Sequence, residues 1–456
     1  MRKGTPMKKL DKKWKLLLYG ISGMGVNMLN LMMGSYLCSA ILVGGFGESA
    51  VKYQTFEQKD LVIAAAWAVF VLISKIVDGV IDIPMASLTD NLKTRWGRRR
   101  PALIIGLVPM IAAYLLFLVC PDPSGATWLN TIYYGIVLCV FYIFYTLTMV
   151  TYYATFTEIT ANEADRSFLS NVKSVCDIVY FIIGYVVVAG MLKGMNIRLV
   201  AVLILPIVAT MLIPMFLIRE ESTLAKDAGR ATDVSKPVNL FRSLGYTFKN
   251  ANFIKWMFVY SVMQFSMQLF LSGINEYFSK TGMSMMIVMM SAFAPVPFTL
   301  IIFNKLKQKK GFGFALRYVL IIYSVGMFLM FAAGLIDNSA VKMALSITSG
   351  VVASFGIGAL FSVAYSIPAQ LAAEDEQKTG ISHSAMYFAV QGLFAGIATG
   401  IGSGAVLTAL KGTEEHPTNA MVYMTLISGI GMLVSLVISY MLPKSLQMLG
   451  KVQENK

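Results

Sequence analysis

Along this chain, apolar stretches of twenty or more residues alternate with short polar ones. About twenty apolar residues in a helix reach across the hydrocarbon of a bilayer, so each stretch predicts a spanning helix. Twelve are predicted, over 16–43, 61–88, 101–120, 129–157, 168–192, 198–218, 252–278, 283–304, 314–336, 340–371, 381–410 and 419–442. Several exceed the minimum length, which predicts tilt or kinks. Pro84, Pro109, Pro206, Pro214, Pro295, Pro297 and Pro368 are the expected kink or end points. The longest polar stretch, Arg219 to Asn250, parts the chain into six spans and six. After the second span of each half comes a similar loop, Asp90-Asn-Leu-Lys-Thr-Arg-Trp-Gly-Arg in one and Asn304-Lys-Leu-Lys-Gln-Lys-Lys-Gly-Phe in the other. The expected fold is therefore all-α and integral to the membrane, with a site near the midplane between two related halves. The halves run over 1–218 and 252–442, joined by a cytoplasmic loop over 219–251 and followed by a cytoplasmic tail over 443–456.

Composition agrees. Of 456 residues, 57% are hydrophobic and 14% charged, with mean hydropathy +0.67; a soluble chain carries about a quarter charged residues. No polar stretch is long enough for a separate soluble domain. The first fifteen residues are basic but lead into a stretch too long for a signal-peptide core, so the first span is expected to be retained. Lysine and arginine gather in every second loop, which places both termini in the cytoplasm by the positive-inside rule. The net charge of +14 thus reads as a topology signal and not as a nucleic-acid surface. The short loops point to a bacterial inner membrane, and the chain is expected to act as a monomer.

Chemistry-bearing residues narrow the function. Cys38, Cys120, Cys139 and Cys176 lie in or at the edge of apolar stretches with no CxxC, so neither zinc nor redox chemistry is expected. His383 and His416 sit at loop edges, and no metal-ligand cluster, nucleophile–base pair or phosphate loop occurs. An enzyme and an ATP-driven pump are both disfavoured, and no cofactor is expected beyond a coupling ion.

The second span carries Lys75, Asp78 and Asp82. At about 100° per residue the three fall within roughly 60° of one another on one helix face. Charge in a membrane is costly and marks ion pathways or proton relays. The pair of carboxylates could bind a coupling cation or a proton, or Lys75 could hold Asp78 in a structural ion pair. Asp90, Arg95, Arg98, Arg99 and Arg100 are candidates for a cytoplasmic gate or for a solvated topology signal. Lys173 and Asp177, four apart in the fifth span, could neutralise each other or line a cavity. Gln264, Gln268, Gln391 and Asn27 could contact substrate or bond helices together. Asn30, Tyr152, Tyr153 and Tyr365 are similarly open, as are Asn275 and Glu276 further along the seventh span.

The run Lys75-Ile-Val-Asp78-Gly-Val-Ile-Asp82-Ile-Pro84, then Asp90, then Arg95-Trp-Gly-Arg-Arg-Arg-Pro101, resembles the signature of the glycoside–pentoside–hexuronide:cation symporters. These include the melibiose permease and belong to the major facilitator superfamily. Tyr19-Gly20, Tyr145-Thr146 and Glu376-Gln-Lys-Thr-Gly380 are also similar to the family pattern. The resemblance implies a cation site of Asp78 and Asp82 faced by the Thr146 hydroxyl, with Lys75 where the family has a basic residue. It implies uptake of a sugar or glycoside coupled to H+ or Na+.

Departures from the pattern concern the substrate. The acidic position of the first span is Asn27, and that of the fourth is Met149, with the following aromatic kept in kind as Tyr153. The fifth-span arginine falls at Ser174, beside Lys173, and the eleventh-span lysine at about Gly396. Asn27, Tyr153, Lys173, Gln264, Gln268 and Gln391 are the substrate-contact candidates that remain. Ile81 stands where the melibiose permease has an amide, which favours a proton over sodium. Two other readings stay open: a lipid or lysolipid transporter of a related branch, suggested by thirty methionines, and a non-transporting sensor.

Overall fold

The computed structural model describes residues 9, 10, 12–160, 163–220, 248–379, 384–416, 418–449 and 451. Most of the predicted central loop, part of the tail and His383 lie outside these residues. Among the described residues, twelve helical segments follow the twelve predicted blocks. The first half holds Lys13–Leu37, Ala64–Asn91, Arg99–Phe117, Trp128–Ile159, Glu163–Ile182 continued to Met191, and Ile197–Leu217. The second holds Ala251–Ser272 with Ile274–Thr281, Met285–Lys310, Phe312–Leu335, Ser339–Thr379, Ser384–Gly400 continued to Lys411, and Ala420–Ser439.

Ten of these helices are long and apolar enough to cross a bilayer. The seventh does so as a pair bent by 53° at Gly273. In the fifth, only Val175–Met191 forms an apolar helix, because Glu163, Asp165, Arg166 and Lys173 occupy the part before it.

Boundaries differ from the hydropathy reading where local chemistry intervenes. The first span leaves helical geometry after Leu37, so 38–43 is apolar but turned. The tenth runs on to Thr379 through Pro368. Pro295 and Pro297 coincide with the break between Met285–Phe293 and Val296–Lys310. Pro206 opens a tight 3₁₀ stretch, Leu205–Leu212. Pro84 and Pro109 lie inside unbroken helices. Wider π turns at Met33–Leu37, Ile183–Val187 and Ile401–Val406 contain no proline.

Caps start several spans. The side chains of Thr127, Asn196 and Asn250 accept hydrogen bonds from the first free amides of the fourth, sixth and seventh, groups that otherwise have no intrahelical partner. Glu220, just past the sixth span, caps the third: its Oε2 accepts from the amides of Arg99 at 2.8 Å and Arg100 at 3.4 Å.

The two halves meet along two seams. In one, the second span packs on the eleventh through glycines. A Cβ at Gly396 would strike the Lys75 carbonyl, one at Gly400 would lie 3.1 Å from Leu72 Cα, and one at Gly404 would lie 2.6 Å from the Ala68 carbonyl. Small residues four apart let helix backbones approach closely. In the other seam, Phe181 and Tyr185 of the fifth span stack on Phe293 of the eighth, with ring centroids 5.1 and 6.0 Å apart.

Hydrogen bonds join the halves at the end of the bundle away from the central connection. Ser35 donates to the Leu271 carbonyl at 2.9 Å, and the Gly47 amide donates to Ser279 Oγ at 3.0 Å. Asp60 and Glu414 exchange two bonds: the Glu414 amide donates to Asp60 Oδ2 at 2.7 Å, and the Asp60 amide to Glu414 Oε2 at 3.3 Å.

Candidate functional site

Asp78 and Asp82 lie in the second span, one turn apart, Asp78 in contact with the fourth span and Asp82 with the eleventh. Thr146 of the fourth span is buried and donates its hydroxyl to Asp78 Oδ1 at 2.7 Å. Asp82 is directed at the eleventh span, where a Cβ on Gly392 would lie 3.6 Å from its Oδ2. The glycine therefore leaves space beside the carboxylate. The two acidic groups thus stand one turn apart beside the seam, Asp82 against the eleventh span and Asp78 accepting the Thr146 hydroxyl.

Lys75 does not pair with Asp78. Its Nζ donates to the Tyr142 hydroxyl at 2.7 Å and stands 4.0 Å from the centre of that ring. The structural ion pair considered from the sequence is absent among the described residues, because Tyr142 of the fourth span offers both an acceptor and a ring face. At Gly396, the lysine of the family pattern has no room, since the Lys75 carbonyl fills the place of its Cβ.

Three of the substrate candidates gather in the first half. Asn27 Oδ1 accepts from the Tyr145 hydroxyl at 3.2 Å. Lys173 Nζ bonds Asp177 at 2.5 Å and lies 5.4 Å from the centre of the Tyr153 ring. Tyr180 stands close to Tyr145, Tyr153 and Asp177 together. The candidates in the second half do not join them. Gln391 is buried and accepts from Trp256 Nε1 at 2.9 Å, and Gln268 donates to Ser272 at 2.7 Å within its own helix. Both bonds lie inside the second half, the helix-bonding role that buried amides often take. Gln264 is half-buried, with no hydrogen bond among the described residues.

Of the gate candidates, Arg95 is exposed and Arg98 and Arg100 half-buried. Arg99 is buried and its guanidinium reaches Thr89 at 3.4 Å, inside the first half. Asp90 belongs to the second helix, but its side chain lies outside the described residues, as do those of Ser174 and Tyr365.

A charged pair escaped the sequence reading. Lys411, placed by hydropathy in the loop after the eleventh span, ends that helix and is buried. Its Nζ donates to Glu276 Oε1 at 3.0 Å and, across the halves, to the Ser39 carbonyl at 2.7 Å. It also sits 4.8 Å from the centre of the Phe46 ring. Burial of a lysine and a glutamate is tolerable only as a pair, and nothing local links positions this far apart. Glu276 within an apolar run was the one visible signal. Among the described residues no three or more histidine, cysteine, aspartate or glutamate side chains come together as a metal-ligand group.

Comparison with known proteins gives a family and a fold. The profile described as MFS/sugar transport protein matches residues 18–443. The lactose permease of Leuconostoc lactis is 29% identical over 108 residues, 23% of this chain and 17% of that protein. The glucuronide carrier protein homolog of Escherichia coli is 28% identical over 123 residues, 26% of each chain. The matched segments thus span about a quarter or less of these relatives' lengths. Among solved structures, a point mutant of the nucleoside transporter NupG has a TM-score of 0.63 at 14% identity, covering 94% of this chain and 100% of that one. A POT family transporter in complex with 5-aminolevulinic acid has a TM-score of 0.62 at 13% identity, covering 96% and 99%.

Proposed function

The chain belongs to the MFS/sugar transport family, and on that premise we propose that it is a secondary active symporter. It couples inward movement of H+ or Na+ to uptake of a sugar or glycoside by alternating access. The observation that carries this reading is the Asp78–Asp82 pair beside the seam, with Thr146 donating to Asp78 and Asp82 lying against Gly392 of the other half. A cation or proton bound there touches the first half while lying against the second, so its presence favours one arrangement of the halves over another. Such a difference in affinity is what coupling requires.

With both termini in the cytoplasm of a bacterial inner membrane, the bonds of Asp60, Glu414, Gly47 and Ser279 close the outer face. Asn27, Tyr153 and Lys173 lie in the first half and are the substrate-contact candidates this reading keeps. The names of the lactose and glucuronide relatives support a sugar-type cargo. A proton is the preferred coupling ion. Ile81 supplies no oxygen, Lys75 is an internal cation, and Asp78 has one oxygen already committed.

A lipid cargo has one feature in its favour, an apolar cavity lined by Met267, Met289, Met327 and Met330. That cavity lies inside the second half and not between the halves, so the sugar reading is preferred.

The test is uptake into proteoliposomes of lactose, melibiose and methyl β-glucuronide, under an imposed proton or sodium gradient. Accumulation driven by a proton gradient supports the reading. Sodium-dependent accumulation at fixed pH without proton movement overturns the choice of ion. Failure to accumulate any of the three under either gradient overturns the function.

A further inference from the structure

A small cavity lies between the halves toward the outer end of the bundle. It is lined by Cys38, Trp67, Lys75, Tyr142, Glu276 and Lys411, together with serine and threonine side chains. None of the six substrate candidates predicted from sequence lines it. Glu276 is 0% exposed. Its Oε1 is held by Lys411, but its Oε2 is buried with no hydrogen-bond partner among the described residues. Buried polar atoms are nearly always satisfied, and an exception asks for an explanation. Lys411 cannot simply swing to cover the second oxygen, because it is also tied to the Ser39 carbonyl at 2.7 Å. The carboxylate is thereby fixed, with one acceptor left open.

We propose that Glu276, clamped by Lys411, is a substrate-recognition group, and that its open oxygen accepts a hydroxyl of a neutral or acidic glycoside. The charge balance selects this class. Glu276 and Lys411 cancel, and Lys75 leaves the cavity with an excess positive charge, which repels an ammonium ligand. A ligand carboxylate cannot donate to Oε2, whereas a hydroxyl can. Trp67 and Tyr142 also line the cavity, Tyr142 with the Lys75 ammonium over its ring. Ser39, whose carbonyl binds Lys411, belongs to the opposite half, so a ligand on Glu276 touches a contact that closes the outer end. The site deepens the symporter reading and rests on it.

The test uses whichever of lactose, melibiose and methyl β-glucuronide the wild type takes up. Removing Glu276 alone would strand a buried lysine, so the variant is Glu276→Met with Lys411→Met. Replacing a buried ion pair by apolar groups of similar size is commonly neutral or stabilising. The double variant is expected to keep the wild-type Tm and to raise KM at least tenfold. An unchanged KM overturns the site while leaving the transporter reading intact. A raised KM supports it only together with substrate protection of Cys38, because Lys411 also ties the halves at Ser39. Should the double variant not fold, Cys38 decides. In the variant Cys120→Ser, Cys139→Ser, Cys176→Ser, the substrate is expected to slow the reaction of Cys38 with methyl methanethiosulfonate. Saturable uptake with no such protection overturns the site. Uptake of none of the three sugars by the wild type overturns the functional reading and this site's ligand class together.

Discussion

Gly79 of the second span and Gly392 of the eleventh face each other with no side chain between them; a Cβ on Gly79 would run into the Gly392 carbonyl. The two halves therefore touch backbone to backbone one residue away from Asp78. Any movement at this seam moves the carboxylates relative to the eleventh span, which on the proposed function would link ion binding to conformational change.

Gly396→Leu inserts a side chain where the Lys75 carbonyl now lies. Overpacking of this kind costs about 1–3 kcal/mol. The expected result is a lower Tm in detergent and faster thiol labelling of Cys38, because the seam is forced apart. An unchanged Tm and labelling rate would show that the halves do not rest on this contact.

Asp78→Asn and Asp82→Asn are each expected to abolish uphill accumulation while sparing downhill exchange. Thr146→Val removes only the hydroxyl that donates to Asp78, a bond to a charged group worth about 1.5–3 kcal/mol. It should shift the half-saturating ion concentration by about tenfold or more and leave accumulation possible. Normal accumulation by both aspartate variants would remove these residues from the coupling site.

Tyr142→Phe keeps the ring under Lys75 but deletes the hydroxyl that its ammonium now bonds. A hydrogen bond to a charged group is worth about 1.5–3 kcal/mol, so Lys75 is released to approach Asp78 and compete with the coupling ion. The half-saturating ion concentration is expected to rise about tenfold or more. Equal ion dependence in the variant would make Lys75 a bystander.

Asp60 is buried and accepts from the amides of Val43 and Glu414, both at 2.7 Å. Asp60→Asn removes one of these acceptors and the charge that strengthens both. The expected effect is a loosened outer closure, read as faster hydrogen exchange over 411–416. Unchanged exchange there would mean that the other contacts hold the outer end without it.

The apolar spans were legible because bilayer thickness constrains length and composition directly, with no need of tertiary information. Lys75, Asp78 and Asp82 were legible for the same reason, as charges in an apolar run. Gly392, Gly396, Gly400 and Gly404 stand four apart in the sequence, a spacing that entered none of the expectations above, and nothing in it says which helix they meet. The Glu276–Lys411 pair was hidden because its members are 135 positions apart, and each alone looks like a span-end charge. The π turns at 33–37, 183–187 and 401–406 carry no residue that demands them and follow from how the helices pack. Gln391 shows the converse limit: an amide in a span reads as a cavity residue until its partner, Trp256, is known.

The glycine seam also bears on the speed of the transport cycle. Breaking an ordinary interface frees side chains whose rotamers must be frozen again when it reforms, an entropy cost of up to about 2 kcal/mol for each long side chain. Glycine has no rotamers to lose. The second and eleventh spans can part and rejoin at Gly79, Gly392 and Gly396 without that recurring cost, so the seam adds little to the barrier between the two arrangements. On the proposed function, the cost of parting the halves then falls on contacts that do involve side chains, the charged ones at Lys411 and Asp60 and the rings stacked on Phe293.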